Sequence, residues 1–174
     1  MSEVLHIVEV REGKLLVGES SLLRKMGLGT PSIGKEGIVL DVSEAAYLIY
    51  TETAQLIDTD GEALTLEELF SRYSSGRYDW IKFSVMLDLR SRGRRVRAGF
   101  APNTLVMDLG GRRVAVFVAE ENSPLRAGEV VEWAEDAVRK GYDPLMALVD
   151  ANGDVTYYSM RKMRIDDLVG EFRK

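Results

Sequence analysis

The sequence predicts an α/β (α+β) protein of two successive units, a small mixed α/β unit over residues 1–75 and a second α/β unit over residues 76–174. Three observations lead there. Short apolar segments switch between the two-residue period of strands and the three-to-four-residue spacing of helices. Turn signals such as Gly110-Gly111 and Asn152-Gly153 separate them. The charge also changes sign midway: residues 1–75 hold 6 Lys/Arg against 13 Asp/Glu, whereas residues 76–174 hold 17 against 15, and the nets of −7 and +2 make the overall −5.

In the first unit, Leu5 to Glu9 alternates as a strand, Arg11-Glu12-Gly13-Lys14 turns, and Leu15 to Val17 returns. Ser21 to Met26 reads as a short helix, after which Gly27, Gly29 and Gly34 interrupt regular structure. Gly37 to Leu40 is expected as a strand and Ser43 to Tyr50 as a helix with Ser43 as N-cap. Gln55 to Asp58 reads as a strand, Thr59-Asp60-Gly61 as its turn, and Thr65 with Glu68 as a capping box ahead of Leu66, Leu69 and Phe70.

The second unit is expected to open on Asp79 as N-cap of a helix carrying Trp80, Phe83 and Leu87 and stopped at Gly93. Arg95 to Phe100 reads as a strand, and Thr104–Leu109 with Arg113–Ala119 as a hairpin about Gly110-Gly111. Between Ala127 and Lys140, Val130, Trp133, Ala134, Ala137 and Val138 form one apolar stripe, terminated by Gly141 and Pro144. Leu145–Asp150 and Val155–Met160 flank Asn152-Gly153 as a tight hairpin.

Composition narrows the function classes. Apolar residues at 45% and charged residues at 29% of 174 describe a globular chain. The longest apolar stretches, such as Val114 to Ala119, fall far short of the roughly 20 residues of a membrane span. Met1-Ser2-Glu3-Val4 lacks a basic, apolar signal, so a cytoplasmic protein is expected. Absent cysteine removes disulfide and thiolate chemistry, and a single histidine, His6, cannot build a zinc site alone; no metal or cofactor is expected. One glutamine and abundant Arg and Glu follow the thermophile pattern. The acidic total rules out a general nucleic-acid coat, so any RNA contact is local.

Few residues offer chemistry. His6 lies between Leu5 and Ile7 with no carboxylate or serine arranged about it in sequence, which suits a structural or surface role. Arg90, Arg92, Arg94, Arg95 and Arg97 gather at a helix–strand junction; guanidinium forks bind phosphates there, and cations equally offset a helix C-terminus. Gly27-Leu28-Gly29 lacks the Lys-Ser/Thr of a phosphate loop. Asp150, Asn152 and Asp154 make an acidic hairpin tip, too short for calcium, that serves either as a turn or as an acidic plug for a basic groove.

Glu44-Ala45-Ala46-Tyr47-Leu48 resembles the EA-x-YL helix of the archaeal tRNA-splicing endonuclease family, and Asp88-Leu89-Arg90-Ser91-Arg92-Gly93 resembles its DLR-x-RG helix, followed by a basic strand ending Gly99-Phe100. Val116-Phe117-Val118, Ala137 to Lys140, Ala147 to Asp150, Gly153-Asp154 and Tyr157-Tyr158 match the rest in order, over about residues 37–160. The resemblance implies a nuclease-like second unit with a mixed sheet flanked by helices. It also implies a dimer of dimers that excises introns from precursor tRNA at bulge–helix–bulge sites. The family cuts without metal, by attack of a ribose 2′-hydroxyl on its own phosphate, leaving a 2′,3′-cyclic phosphate and a 5′-hydroxyl. A Tyr, a His and a Lys share the general-base, general-acid and charge-stabilising work.

Two of those three are missing. The Tyr position falls on Met107 or Asp108, the His position near Gly111, and only the Lys has a match, Lys140, with about two residues inserted between it and Leu145. A base-gripping arginine of the family is replaced by Trp133, whose place on the apolar stripe implies core packing. Such losses suit the structural subunit of a heterotetramer of two plus two, partnered by a catalytic chain. In that form the resemblance assigns Asp150, Asn152 and Asp154 to a basic pocket on an opposing subunit. Val114, Val116 and Val118 are expected on a dimer face. Two other readings stay open: an active self-assembling enzyme using Tyr142 with Lys140, and a nuclease-fold scaffold with no tRNA role.

Overall fold

A computed structural model describes residues 2–163; residues 164–174 at the end of the second unit lie outside the described range. Strands β1 (Glu3–Arg11) and β2 (Lys14–Val17) form the first hairpin. Its two loop residues, Glu12 and Gly13, both take positive φ (50° and 71°), the turn whose twist matches paired strands. Helix α1 (Ser21–Met26), strand β3 (Thr30–Pro31), strand β4 (Ile38–Asp41), helix α2 (Val42–Tyr50), strand β5 (Ala54–Ile57) and helix α3 (Leu66–Tyr73) follow. The sheet order is β3-β4-β2-β1-β5, antiparallel except for β1 with β5.

Helix α4 (Tyr78–Ser91) leads to the second sheet, made of β6 (Val96–Ala98), β7 (Thr104–Leu109), β8 (Arg112–Glu120), β9 (Asp143–Val149) and β10 (Val155–Ser159). Its order is β10-β9-β8-β7-β6. Only β8 and β9 run parallel, and helix α5 (Ala127–Arg139) makes the crossover that a parallel pair requires. Two mixed sheets and five helices among the described residues give the expected α+β class.

Strand β8 is central and buried on both faces. Val114, Val116 and Val118 join the main core with Ile81, Val85 and Met86 of α4; Ala115, Phe117 and Ala119 pack with Trp133 and Ala137 of α5. This corrects the assignment of Val114, Val116 and Val118 to a dimer face. A strand covered by a helix on each side is apolar throughout, and its valines point into the chain's own core.

Two caps also differ from expectation. Helix α2 begins one residue before Ser43, with Asp41 as N-cap: Asp41 Oδ1 accepts from Ser43 N at 3.0 Å, and Glu44 Oε2 accepts from Asp41 N at 2.9 Å. Asp79 lies inside the first turn of α4, where its carboxylate accepts from Ser75 N and Ser74 Oγ, both at 3.0 Å. The capping box of Thr65 with Glu68 forms as read.

Buried charge ties the halves together. The Lys82 ammonium of α4, about 1% exposed, donates to both Asp41 oxygens at 2.9 Å and lies 3.7 Å from Asp79; Lys14 reaches Asp41 at 2.6 Å. The fully buried Glu44 accepts from three amides on three segments, Gly29 N (3.2 Å), Asp41 N (2.9 Å) and Ala98 N (3.0 Å). These contacts fix β6, and the basic segment before it, against the first sheet.

Candidate active site and contact surfaces

The strand-end position lands on Met107, buried beneath α4, with Asp108 next to it exposed to solvent. Gly110 and Gly111 form the β7–β8 turn with φ of 59° and 82°, closed by the pair Leu109–Arg112. A side chain at Gly111 would be strained in this left-handed conformation, so the local backbone suits glycine rather than histidine. His6 lies on the exposed side of β1, in the other sheet.

Lys140 caps the C-terminus of α5 and is occupied by its own chain. Its ammonium donates to Asp136 and sits 5.0 Å from the centre of the Phe100 ring. The hydrogen bond from Lys140 holds the Asp136 carboxyl below its ordinary range despite some desolvation. Phe100 stacks on Trp133 (6.4 Å, 19°) and tilts against Tyr142 (5.6 Å). Arg113 donates to Tyr142 Oη at 2.6 Å and lies 4.2 Å from the centre of its ring. Trp133 is buried and donates from Nε1 to Thr104 Oγ1 at 2.8 Å. The cluster therefore gathers two cations and two exposed or half-buried rings, with no imidazole. Phe100 and Arg113 escaped sequence reasoning. The parallel register that sets Val114 against Asp143 also brings Arg113 beside Tyr142, and spacing along the chain does not reveal it.

The five arginines separate by their partners. Arg90 is half-buried, donating to Val96 O at 2.6 and 3.0 Å and to Met26 O at 3.1 Å, with its guanidinium 5.0 Å from the centre of the Tyr47 ring. Burial is the main cause lowering its pKa. Arg90 thus acts as a strut that ties α4 to Val96 and Met26. Arg92 pairs with Asp88 at 3.0 and 3.1 Å, and Arg95 donates to Lys25 O at 2.6 Å. Arg94 and Arg97 have no side-chain partner among the described residues, and Arg97 lines a cleft of about 300 Å³ with Glu19, Arg24 and the Gly27–Pro31 loop.

The final hairpin closes, as expected, about Asn152-Gly153, through a three-residue loop. Asp150 N donates to Asp154 O at 3.0 Å, enclosing residues 151–153, and Gly153 takes φ 85°. The Asp150 carboxylate is spent on that loop, accepting from Asn152 N (2.8 Å) and Asp154 N (2.9 Å); Asn152 and Asp154 are exposed. Strand β10 is pinned to α4 by Tyr157 Oη donating to Asp88 Oδ2 at 2.7 Å, which joins the DLR-x-RG helix to the final hairpin. Burial, and then the Asp88 carboxylate, push the Tyr157 phenol well above its ordinary range. Among the described residues no helix is long and apolar enough to cross a membrane, and no cluster of three or more His, Cys, Asp or Glu is placed to hold a metal.

Fold and surfaces define an α+β protein of two mixed sheets joined through buried charge, with an exposed acidic hairpin and, among the described residues, two arginines without a side-chain partner. The chain is 32% identical over 149 residues to a tRNA-splicing endonuclease of Thermococcus kodakarensis, covering 81% of this chain and 86% of that protein. It is 31% identical over 153 residues to a tRNA-splicing endonuclease of Thermococcus gammatolerans, covering 83% and 88%. A third, from Methanococcoides burtonii, is 24% identical over 135 residues, and the chain spans only 38% of its length. No protein-family model matches the chain. The chain belongs to the tRNA-splicing endonuclease family.

Proposed function

We propose that this chain acts in tRNA splicing as a non-catalytic subunit. It would assemble two plus two with a catalytic partner that excises introns from precursor tRNA at bulge–helix–bulge sites, leaving 2′,3′-cyclic phosphate and 5′-hydroxyl ends in the cytoplasm. Residues 1–75 and 76–174 would serve as its first and its nuclease-like units. One observation supports this reading: Met107 is buried and Gly111 is left-handed, at the positions to which the resemblance assigns the family's base and acid. A cation alone steadies a phosphate but moves no proton. Family membership supports the tRNA role over an unrelated scaffold.

In this reading Asn152 and Asp154 meet the opposing subunit, with Asp150 holding the loop that presents them. Arg94 and Arg97 are the arginines left for RNA. Co-expression with the catalytic chain should give a heterotetramer by native mass measurement, and Asp150→Ala with Asp154→Ala should shift it towards smaller species. An unchanged heterotetramer in the double variant would remove the hairpin from the interface.

A second reading has its own observation: Phe100 contacts both Lys140 and Tyr142, with Arg113 on the same phenol. It makes the chain an active enzyme with a rearranged set. Metal-free cleavage by the chain alone, abolished by Lys140→Ala, would establish it.

A further inference from the structure

The chain holds three asparagines and one glutamine among 174 residues, in keeping with a loss of thermolabile amides. One of the three, Asn152, is nonetheless followed by glycine, at the exposed tip of the β9–β10 loop. We propose that Asn152 is a site of spontaneous deamidation, which adds a negative charge to this loop and alters its main chain.

The reaction needs only water. The backbone nitrogen of Gly153 loses its proton and attacks Cγ of Asn152; a C–N bond forms, the Cγ–Nδ2 bond breaks and ammonia leaves. Water then opens the cyclic imide at either carbonyl. One opening gives aspartate, the other isoaspartate, whose main chain runs through the former side chain and is one carbon longer.

Three features of the loop favour these steps. Glycine has no Cβ to obstruct the attack, and the place a Cβ would take at Gly153 has no neighbouring atom within 4 Å. The Asn152 amide is exposed and has no hydrogen-bond partner among the described residues. The Gly153 N–H is held only by Asp150 O, at 3.1 Å, in an exposed loop of the kind that opens well before a core does. The other two asparagines lack this combination. Asn103 is half-buried, its Oδ1 accepts from Thr104 Oγ1 at 3.1 Å, and the attacking nitrogen would belong to buried, β-branched Thr104. Asn122 is exposed, but Ser123 follows it, with a side chain that accepts from Arg77 at 3.2 Å and an N–H that donates to Glu120 O at 3.2 Å.

The product places a third carboxylate beside Asp150 and Asp154. Its isoaspartate form also lengthens a loop whose shape depends on Asp150 accepting from Asn152 N and Asp154 N. The bearing on assembly rests on the proposed function: there the loop meets the opposing subunit, so assembly shields Asn152 and the unassembled chain ages.

The full chain, incubated alone at mildly alkaline pH, would be digested and its peptides resolved by mass and by a separation of aspartate from isoaspartate. Residue 152 should convert to both acids, faster as pH rises, while Asn103 and Asn122 stay intact and Asn152→Gln removes the signal. A residue 152 that stays intact, or converts no faster than the other two, would overturn the proposal. Adding the catalytic chain should slow conversion on the order of tenfold, as for a loop covered about 90% of the time. An unchanged rate within a heterotetramer seen by native mass measurement would overturn the shielding. Failure to form any heterotetramer would count against the proposed function instead, since the chain alone decides the modification.

Discussion

Asp41→Asn should make the chain less stable at neutral pH and remove part of its sensitivity to acid. Asp41 receives Lys82 twice at 2.9 Å and Lys14 at 2.6 Å. Burial pushes its carboxyl up, but the two ammonium groups outweigh burial and bring it from 3.8 down to about 2. A carboxyl lowered by folding stabilises the native state above pH 3.8 and ceases to do so as pH falls through about 2. At about 1.36 kcal/mol per pH unit, the gap is worth about 2.4 kcal/mol. Asparagine caps helices as well as aspartate does, so α2 keeps its N-cap and the loss isolates the charge. With a urea m-value of about 2 kcal/mol/M, the midpoint at pH 7 should fall by about 1.2 M. The difference from wild type should shrink as pH is lowered from 4 to 2. A constant difference across that range, or a shift under about 0.3 M at pH 7, would refute the assignment of this stability to the ion pair.

Glu44→Gln replaces one acceptor oxygen by an NH₂ facing a backbone amide and should cost about 1–3 kcal/mol by urea unfolding. Because burial raises the Glu44 carboxyl above 4.5, wild type loses stability as pH rises from there through the raised value, and the variant should not show that component. Tyr157→Phe should cost about 1.5 kcal/mol and speed amide exchange in β10, since it removes the bond to Asp88. Trp133→Phe removes the Nε1 bond to Thr104 and should cost about 1–2 kcal/mol without affecting RNA binding; an RNA-binding defect with intact stability would give Trp133 a surface role.

Much of the fold was legible because local chemistry decided it. Glu12-Gly13 and Gly110-Gly111 specify two-residue turns, Thr65 and Glu68 cap α3 reciprocally, and the apolar spacing of α5 survives in Trp133 and Ala137. What failed was partly a local signal passed over and partly distant partners. Ser43 is a good N-cap in isolation, but Asp41 takes the position through its reciprocal bonds with Ser43 and Glu44, a local Asp-x-x-Glu signal to which Lys82 and Lys14 add an ion pair. Val138 fits the same stripe as Trp133 yet faces outward, since five apolar positions exceed the width that one sheet face covers. Val114 to Ala119 is an unbroken apolar run, the pattern of a strand covered on both faces, but the sequence does not say that the covers, α4 and α5, come from its own chain. At the candidate site the missing residue types were readable directly. The use of Arg90, Asp150 and Lys140 within their own chain was not, because it rests on contacts that folding creates.

The most direct measurement is single-turnover intron excision in metal-free buffer, with a bulge–helix–bulge precursor tRNA and this chain purified without any partner. No cleavage is expected, with cleavage appearing on addition of a family member that carries the Tyr, His and Lys. Cutting by the isolated chain would contradict the account.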